Sequence, residues 1–164
     1  MARTGQFGKD FDIFTLNFAD ASEETVRVVA AKTWGAIIAG WPVDEGRSRA
    51  NWFATGQAPS DATTESVDNS NNGTKTANKA EKKVFSIKRW DSFFLTNNLP
   101  YSTVIEYGGY PDPVKLGTRL KDGSYEKRSK SGYSKQAPNG SVRLNINKSG
   151  RLMEIEARKR FKKL

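Results

Sequence analysis

From Ser22 to Ala39 apolar side chains recur at helical spacing and then stop at a Gly-Trp-Pro boundary, a pattern that constrains the fold more than any other in the chain. Val26, Val29, Ala30, Thr33 and Ile37 fall on one face, widened by Trp34 and Ile38. Asp20 and Glu23 have capping-box spacing, with Ser22 as a rival cap. Glu23 and Glu24 would occupy the first turn, where the helix dipole favours acids. Gly40 sits just past the expected helix end, and Pro42 prevents continuation.

Around this helix the signals are shorter. Phe14, Leu16 and Phe18 alternate as in a strand, while Phe11, Phe14 and Phe18 fit a helix, so residues 1–19 read as an ordered arm of either type. Residues 51–57 and 92–96 read as strands, residues 77–83 as a short charged helix. Pro100 to Tyr107 reads as a short helix closed by Gly108, with Tyr101, Val104 and Ile105 inward. Val142, Leu144 and Ile146 alternate with polar neighbours, which predicts a strand over 141–146. A basic helix follows from Ser149 to Lys163, with Leu152, Ile155 and Phe161 on one side.

Two stretches read as exposed. Residues 58–80 are rich in Ser, Thr, Asn, Asp and Gly, with Val67 the only large apolar side chain, too little to order the segment by burial. Residues 109–132 carry six Gly and Pro among many Lys and Arg. The expected architecture is therefore one α+β domain over 1–164: a small mixed fold with a long N-terminal helix packed on a short sheet of three or four strands. Flexible loops at about 58–80 and 109–132, and a basic segment at 149–164, complete it.

Composition narrows the chemistry. The chain has no Cys and no His, which rules out disulfides, thiolate metal sites, Ser-His and Cys-His nucleophiles and most zinc sites. No catalytic residue, metal or cofactor is expected. The first residues lack a secretory leader pattern and no run of about 18 apolar residues occurs, so a cytoplasmic product that does not contact membrane is expected. The net charge of +9 is uneven: residues 1–74 hold six basic and ten acidic side chains, and residues 75–164 hold 21 basic and eight acidic. Such asymmetry fits a nucleic-acid surface or copies meeting head to tail.

Three blocks bear on function. The first runs Trp41-Pro42-Val43-Asp44-Glu45-Gly46-Arg47-Ser48-Arg49-Ala50-Asn51-Trp52. The second is Asn97-Asn98-Leu99-Pro100-Tyr101 through Glu106-Tyr107-Gly108. The third is Ser134-Lys135-Gln136-Ala137-Pro138-Asn139-Gly140. Asp44 with Glu45 could be a carboxylate pair, but the Gly-containing turn reads more simply as solvated or paired charge. Glu106, beside aromatics, could be an acid of raised pKa or a hydrogen-bonded structural carboxylate. Ser134 and Lys135 are adjacent on an extended stretch and so point apart, a poor nucleophile pair.

In this order the three blocks resemble the tail-completion or neck proteins of tailed bacteriophages. Glu45 stands where that family commonly has Thr, Trp41 where Thr often precedes the Pro, and about 25 residues separate the second and third blocks where relatives run almost directly on. The resemblance implies a virion structural protein rather than an enzyme: a ring of roughly six- or twelvefold symmetry. Such a ring mates with head connector or adaptor proteins and with tail-terminator or tail-tube proteins, and leaves a channel for DNA. It implies assembly in the host cytoplasm and a place at the virion neck. The expected subunit or partner interface comprises Asp44, Arg47, Arg49, Trp52, Tyr101, Glu106, Tyr107, Gln136 and Pro138. Arg158, Lys159, Arg160, Lys162 and Lys163 are the expected DNA-facing cations. The competing class is a sequence-independent nucleic-acid-binding protein; a carboxylate-based hydrolase acting through Glu106 or Asp44 is the third.

Overall fold

A 36-residue helix, α1 (Thr4–Ala39), runs through most of the N-terminal quarter of the chain in the computed structural model, which describes residues 4–88, 92–109, 121–123 and 131–162. It corrects the expected start at Ser22. Ser22 Oγ donates to Phe18 O at 2.7 Å and Thr15 Oγ1 to Phe11 O at 2.8 Å, both bonds internal to the helix. No proline interrupts residues 4–39, so a helix once nucleated propagates through them. The alternation of Phe14, Leu16 and Phe18 marks no strand.

Among the described side chains of α1, those buried lie in its second half. Val29, Trp34, Ile37 and Ile38 enter the interior, joined by Trp41 just past the helix end. The core cluster adds Trp52, Ala80 and Val84. Trp41 and Trp52 meet edge to face, ring centroids 4.8 Å apart, and the Trp41 indole N–H donates to Ser48 Oγ at 2.7 Å. Trp34 meets Phe93 in the same manner at 6.3 Å.

After α1 come a single-turn helix α2 (Arg47–Ala50), strand β1 (Phe53–Thr55), a 3-10 turn at Asn71–Gly73 and helix α3 (Thr74–Ser86). Strand β2 (Phe94–Thr96), helix α4 (Ser102–Tyr107) and helix α5 (Val142–Phe161) follow among the described residues. β1 and β2 pair antiparallel, with Ala54 opposite Leu95. The fold is thus a mixed one, with helices dominant over a two-stranded sheet. α1 packs chiefly against α3 and α5, and α3 lies on β1. Thr76, Ala80 and Val84 form the buried stripe of α3 at i, i+4, i+8. Arg27 of α1 reaches its C-terminal end, donating to Val84 O and to Ile87 O at 2.6 Å, where the helix leaves carbonyls unmatched.

Three further expectations are corrected. The predicted strand over 141–146 is the first turn and a half of α5, with Leu144 and Ile146 exposed. On α5 it is Glu156, not Ile155, that turns inward. Residues 58–80, expected as a flexible arm, instead are tied down by polar groups and continue into α3. Asn51 Nδ2 donates to Arg47 O and Thr64 O, both at 2.8 Å, and Asn51 Oδ1 accepts from Thr64 N at 2.8 Å. Asn98 Nδ2 donates to Ser60 O and Ala62 O. Most of 109–132 lies outside the described residues.

Candidate functional site

The geometry around Glu106 organises the chain's second half. Glu106 projects from α4 and is 5% exposed. Oε2 accepts from the backbone N–H groups of Ser141 and Val142, both at 2.8 Å. Oε1 accepts from Arg143 N at 2.9 Å and Arg143 Nε at 3.1 Å. These are amides at the start of α5, which no side chain of its own N-cap residue satisfies. A carboxylate 35 residues upstream therefore caps a 20-residue helix at its positive end. Burial pushes the Glu106 carboxyl up, but the amides of Arg143, Ser141 and Val142 outweigh it and hold the group below the usual carboxylate range. Both carboxylate oxygens are thus occupied by donors at the start of α5, the arrangement of a hydrogen-bonded structural carboxylate. Gly140, at φ 77°, passes so close that a Cβ there would sit 2.5 Å from Glu106 O.

The other blocks close onto the same region. The Gln136 side-chain amide accepts from Val43 N at 2.8 Å and donates to Val43 O at 2.7 Å, clamping the third block to the first. Asn97 Nδ2 donates to Ser48 O at 2.9 Å, clamping the second block to the first. Arg49 donates to Trp41 O and Ser70 O at 3.2 Å each. Gly46, at φ 87°, turns the chain so that its carbonyl accepts from Asp68 N at 3.0 Å; a Cβ there would meet the Asp68 carbonyl at 2.8 Å. Asp68 is 1% exposed. Burial raises its pKa, yet bonds from the hydroxyls and amides of Ser70 and Thr76 prevail and bring it to about 2.

The expected interface residues separate into two groups. Asp44, Tyr101, Tyr107, Gln136 and Pro138 are exposed, and Arg47 is half-buried in an ion pair with Glu65 at 2.5 Å. Arg49, Trp52 and Glu106, expected at an interface, are instead buried within the chain, each in an internal contact described above. Tyr101, expected inward, faces out. Ser134 is buried and Lys135 exposed, so they form no pair.

The basic C-terminal set is also divided. Arg158 and Lys162 are exposed, and Lys163 lies outside the described residues. Lys159 and Arg160 bind the carboxylate of Glu156, each at 2.9 Å, with Lys32 of α1 at 2.8 Å. Arg160 also reaches Glu24 at 3.3 Å. Bonds from Lys32, Arg160 and Lys159 bring Glu156 down to about 2. Arg160 therefore ties α5 to α1 through Glu24. Sequence reasoning missed Glu156; the signal was its i+3 and i+4 spacing to Lys159 and Arg160. It also missed the exposed row Phe11, Ile13, Phe14, Leu16 and Phe18 on α1, each 49–67% exposed.

Among the described residues no acidic cluster could hold a metal ion, and no helix is long and apolar enough to cross a membrane. No family model, no curated protein and no solved structure matches this chain.

Proposed function

We propose that this chain is a virion structural protein of a tailed phage, a neck or tail-completion subunit. It forms a ring between the head connector or adaptor and the tail-terminator or tail-tube proteins and leaves a passage for DNA. Its work is assembly rather than catalysis, and it needs no cofactor. The observation that supports this is the interlock of the three resembling blocks. Gln136 on Val43, Asn97 on Ser48 and Glu106 on the start of α5 spend those polar side chains on shape. What remains outside is contact surface: Asp44, Tyr101, Tyr107, Pro138 and the first half of α1.

Head–tail joining in vitro tests the proposal. A phage whose gene for this chain carries a stop codon should leave DNA-filled heads and free tails unjoined, and the purified chain should restore infectious particles. Normal virions formed without the chain would refute it. Sequence-independent DNA binding is the second reading, favoured by the exposed Lys148, Arg151 and Arg158 on α5 and Lys162 just past its end. It requires affinity for duplex DNA that falls steeply with salt, by about 0.9 log units per log unit of salt for each phosphate contacted.

A further inference from the structure

Two surfaces of this molecule match each other in length, pattern and charge, and they lie on different helices. Residues 4–20 of α1, about 25 Å of helix, carry exposed apolar side chains on both flanks: Phe11 and Phe14 on one, Ile13 and Leu16 on the other. The end of α5 meets α1 at Phe18, where Phe161 stacks 5.1 Å from it, and the earlier turns run on past that contact. Asp10 and Asp12 flank the Phe11–Phe14 seam, and Asp20 follows it; Lys9 is the one cation between residues 6 and 20.

The outward face of α5 is the complement. Leu144, Lys148, Arg151, Ile155, Arg158 and Lys162 recur at spacings of four and three and are all exposed. That spacing draws a continuous seam along about 30 Å of helix, with Leu144 at its start and Ile155 between cations (43% and 42% exposed). The opposite face of α5 is already used on α1 through Glu156, and Ser141 just before the helix donates to Ile37 O.

We infer that the first half of α1 of one copy docks on the outward face of α5 of the next. Its aromatic seam lies along Leu144 and Ile155, and Asp10 and Asp12 face Lys148, Arg151 and Arg158. This docking presupposes the ring proposed above and names the surface that builds it. Pairing α1 with α1 would bring like charges together, whereas α1 on α5 brings opposite ones. Because the two surfaces differ, the contact is heterologous: any open assembly keeps one free surface of each kind, and such contacts close into rings when the rotation allows.

Two variants test it, each altering exposed side chains only. Phe14→Asp with Leu16→Asp spoils the α1 surface; Arg151→Glu with Ile155→Asp spoils the α5 surface. Far-UV circular dichroism checks that both stay folded, and light scattering after gel filtration reads mass over a range of concentrations. The expected result is concentration-dependent assembly of the unaltered chain and single chains for each variant alone. Mixing the two variants should give a pair and nothing larger, because one intact surface of each kind remains. Three outcomes overturn the docking: either variant assembling alone, the mixture staying as single chains, or the unaltered chain remaining single at every concentration. None of these touches the head–tail joining result, whose failure would instead remove the neck reading itself.

Discussion

Glu106→Gln is the most informative single substitution, because it keeps the side chain's shape and changes only its charge and one oxygen. Glu106 Oε2 serves two backbone N–H groups and Oε1 serves one more, together with Arg143 Nε. A glutamine in either orientation turns its NH2 toward donors at one of these positions, and those donors lose their acceptor. Each buried donor left unsatisfied costs about 1–3 kcal/mol, and the favourable charge at the start of α5 is lost as well. The Arg143 side chain is exposed and adds little, since solvent screens it. A loss of about 3 kcal/mol is expected, a large part of a typical 5–15 kcal/mol stability. For a chain of this size that lowers the melting midpoint by about 6–12 °C.

Urea and thermal unfolding followed by tryptophan fluorescence and far-UV circular dichroism would measure it. The pH dependence gives a second readout. The folded-state pKa of Glu106 is depressed, so its stabilisation is complete above the ordinary carboxylate range and fades as pH falls through the depressed value. The glutamine variant should lack that portion of the acid loss. An unchanged midpoint with an unchanged denaturant slope would refute the capping account.

The remaining predictions concern other clamps. Asp68→Asn should cost about 1–3 kcal/mol and open residues 58–73 to protease, because an amide cannot accept from Ser70 and Thr76 as the carboxylate does. The contribution of Asp68 in the unaltered chain should be full above about pH 4 and fade as pH falls toward about 2. Gln136→Ala should speed hydrogen exchange at the Val43 amide and cost about 0.5–1.5 kcal/mol, seen by native-state exchange and urea unfolding. Leu144→Ala should change stability by less than about 0.5 kcal/mol, because the residue is an exposed helical one. A loss of about 2 kcal/mol or more in denaturant unfolding would instead place it in a buried strand.

Local pattern foretold what local forces decide. β1, β2, α3 and α4 fall within a few residues of the stretches that signalled them, and Gly108 closes α4 with φ 74° as a glycine there should. Pattern failed where distant partners decide. The alternation of Val142, Leu144 and Ile146 is that of a strand, yet the amides beside it are captured by Glu106, 35 residues away. Residues 58–80 read as unanchored because only apolar side chains were weighed. Val67 is in fact exposed, while its neighbour Asp68 is buried as the anchor. The same holds for the site. The three blocks were visible as motifs, but Arg49, Trp52 and Glu106 proved internal because their partners, Trp41, Ser70 and the α5 amides, are brought to them only by folding.

Immunogold electron microscopy of purified virions, with an antibody raised against this chain, tests the neck proposal most directly. Gold confined to the head–tail junction is the expected result. Virions without label, and without the chain by mass spectrometry of the same preparation, would contradict it.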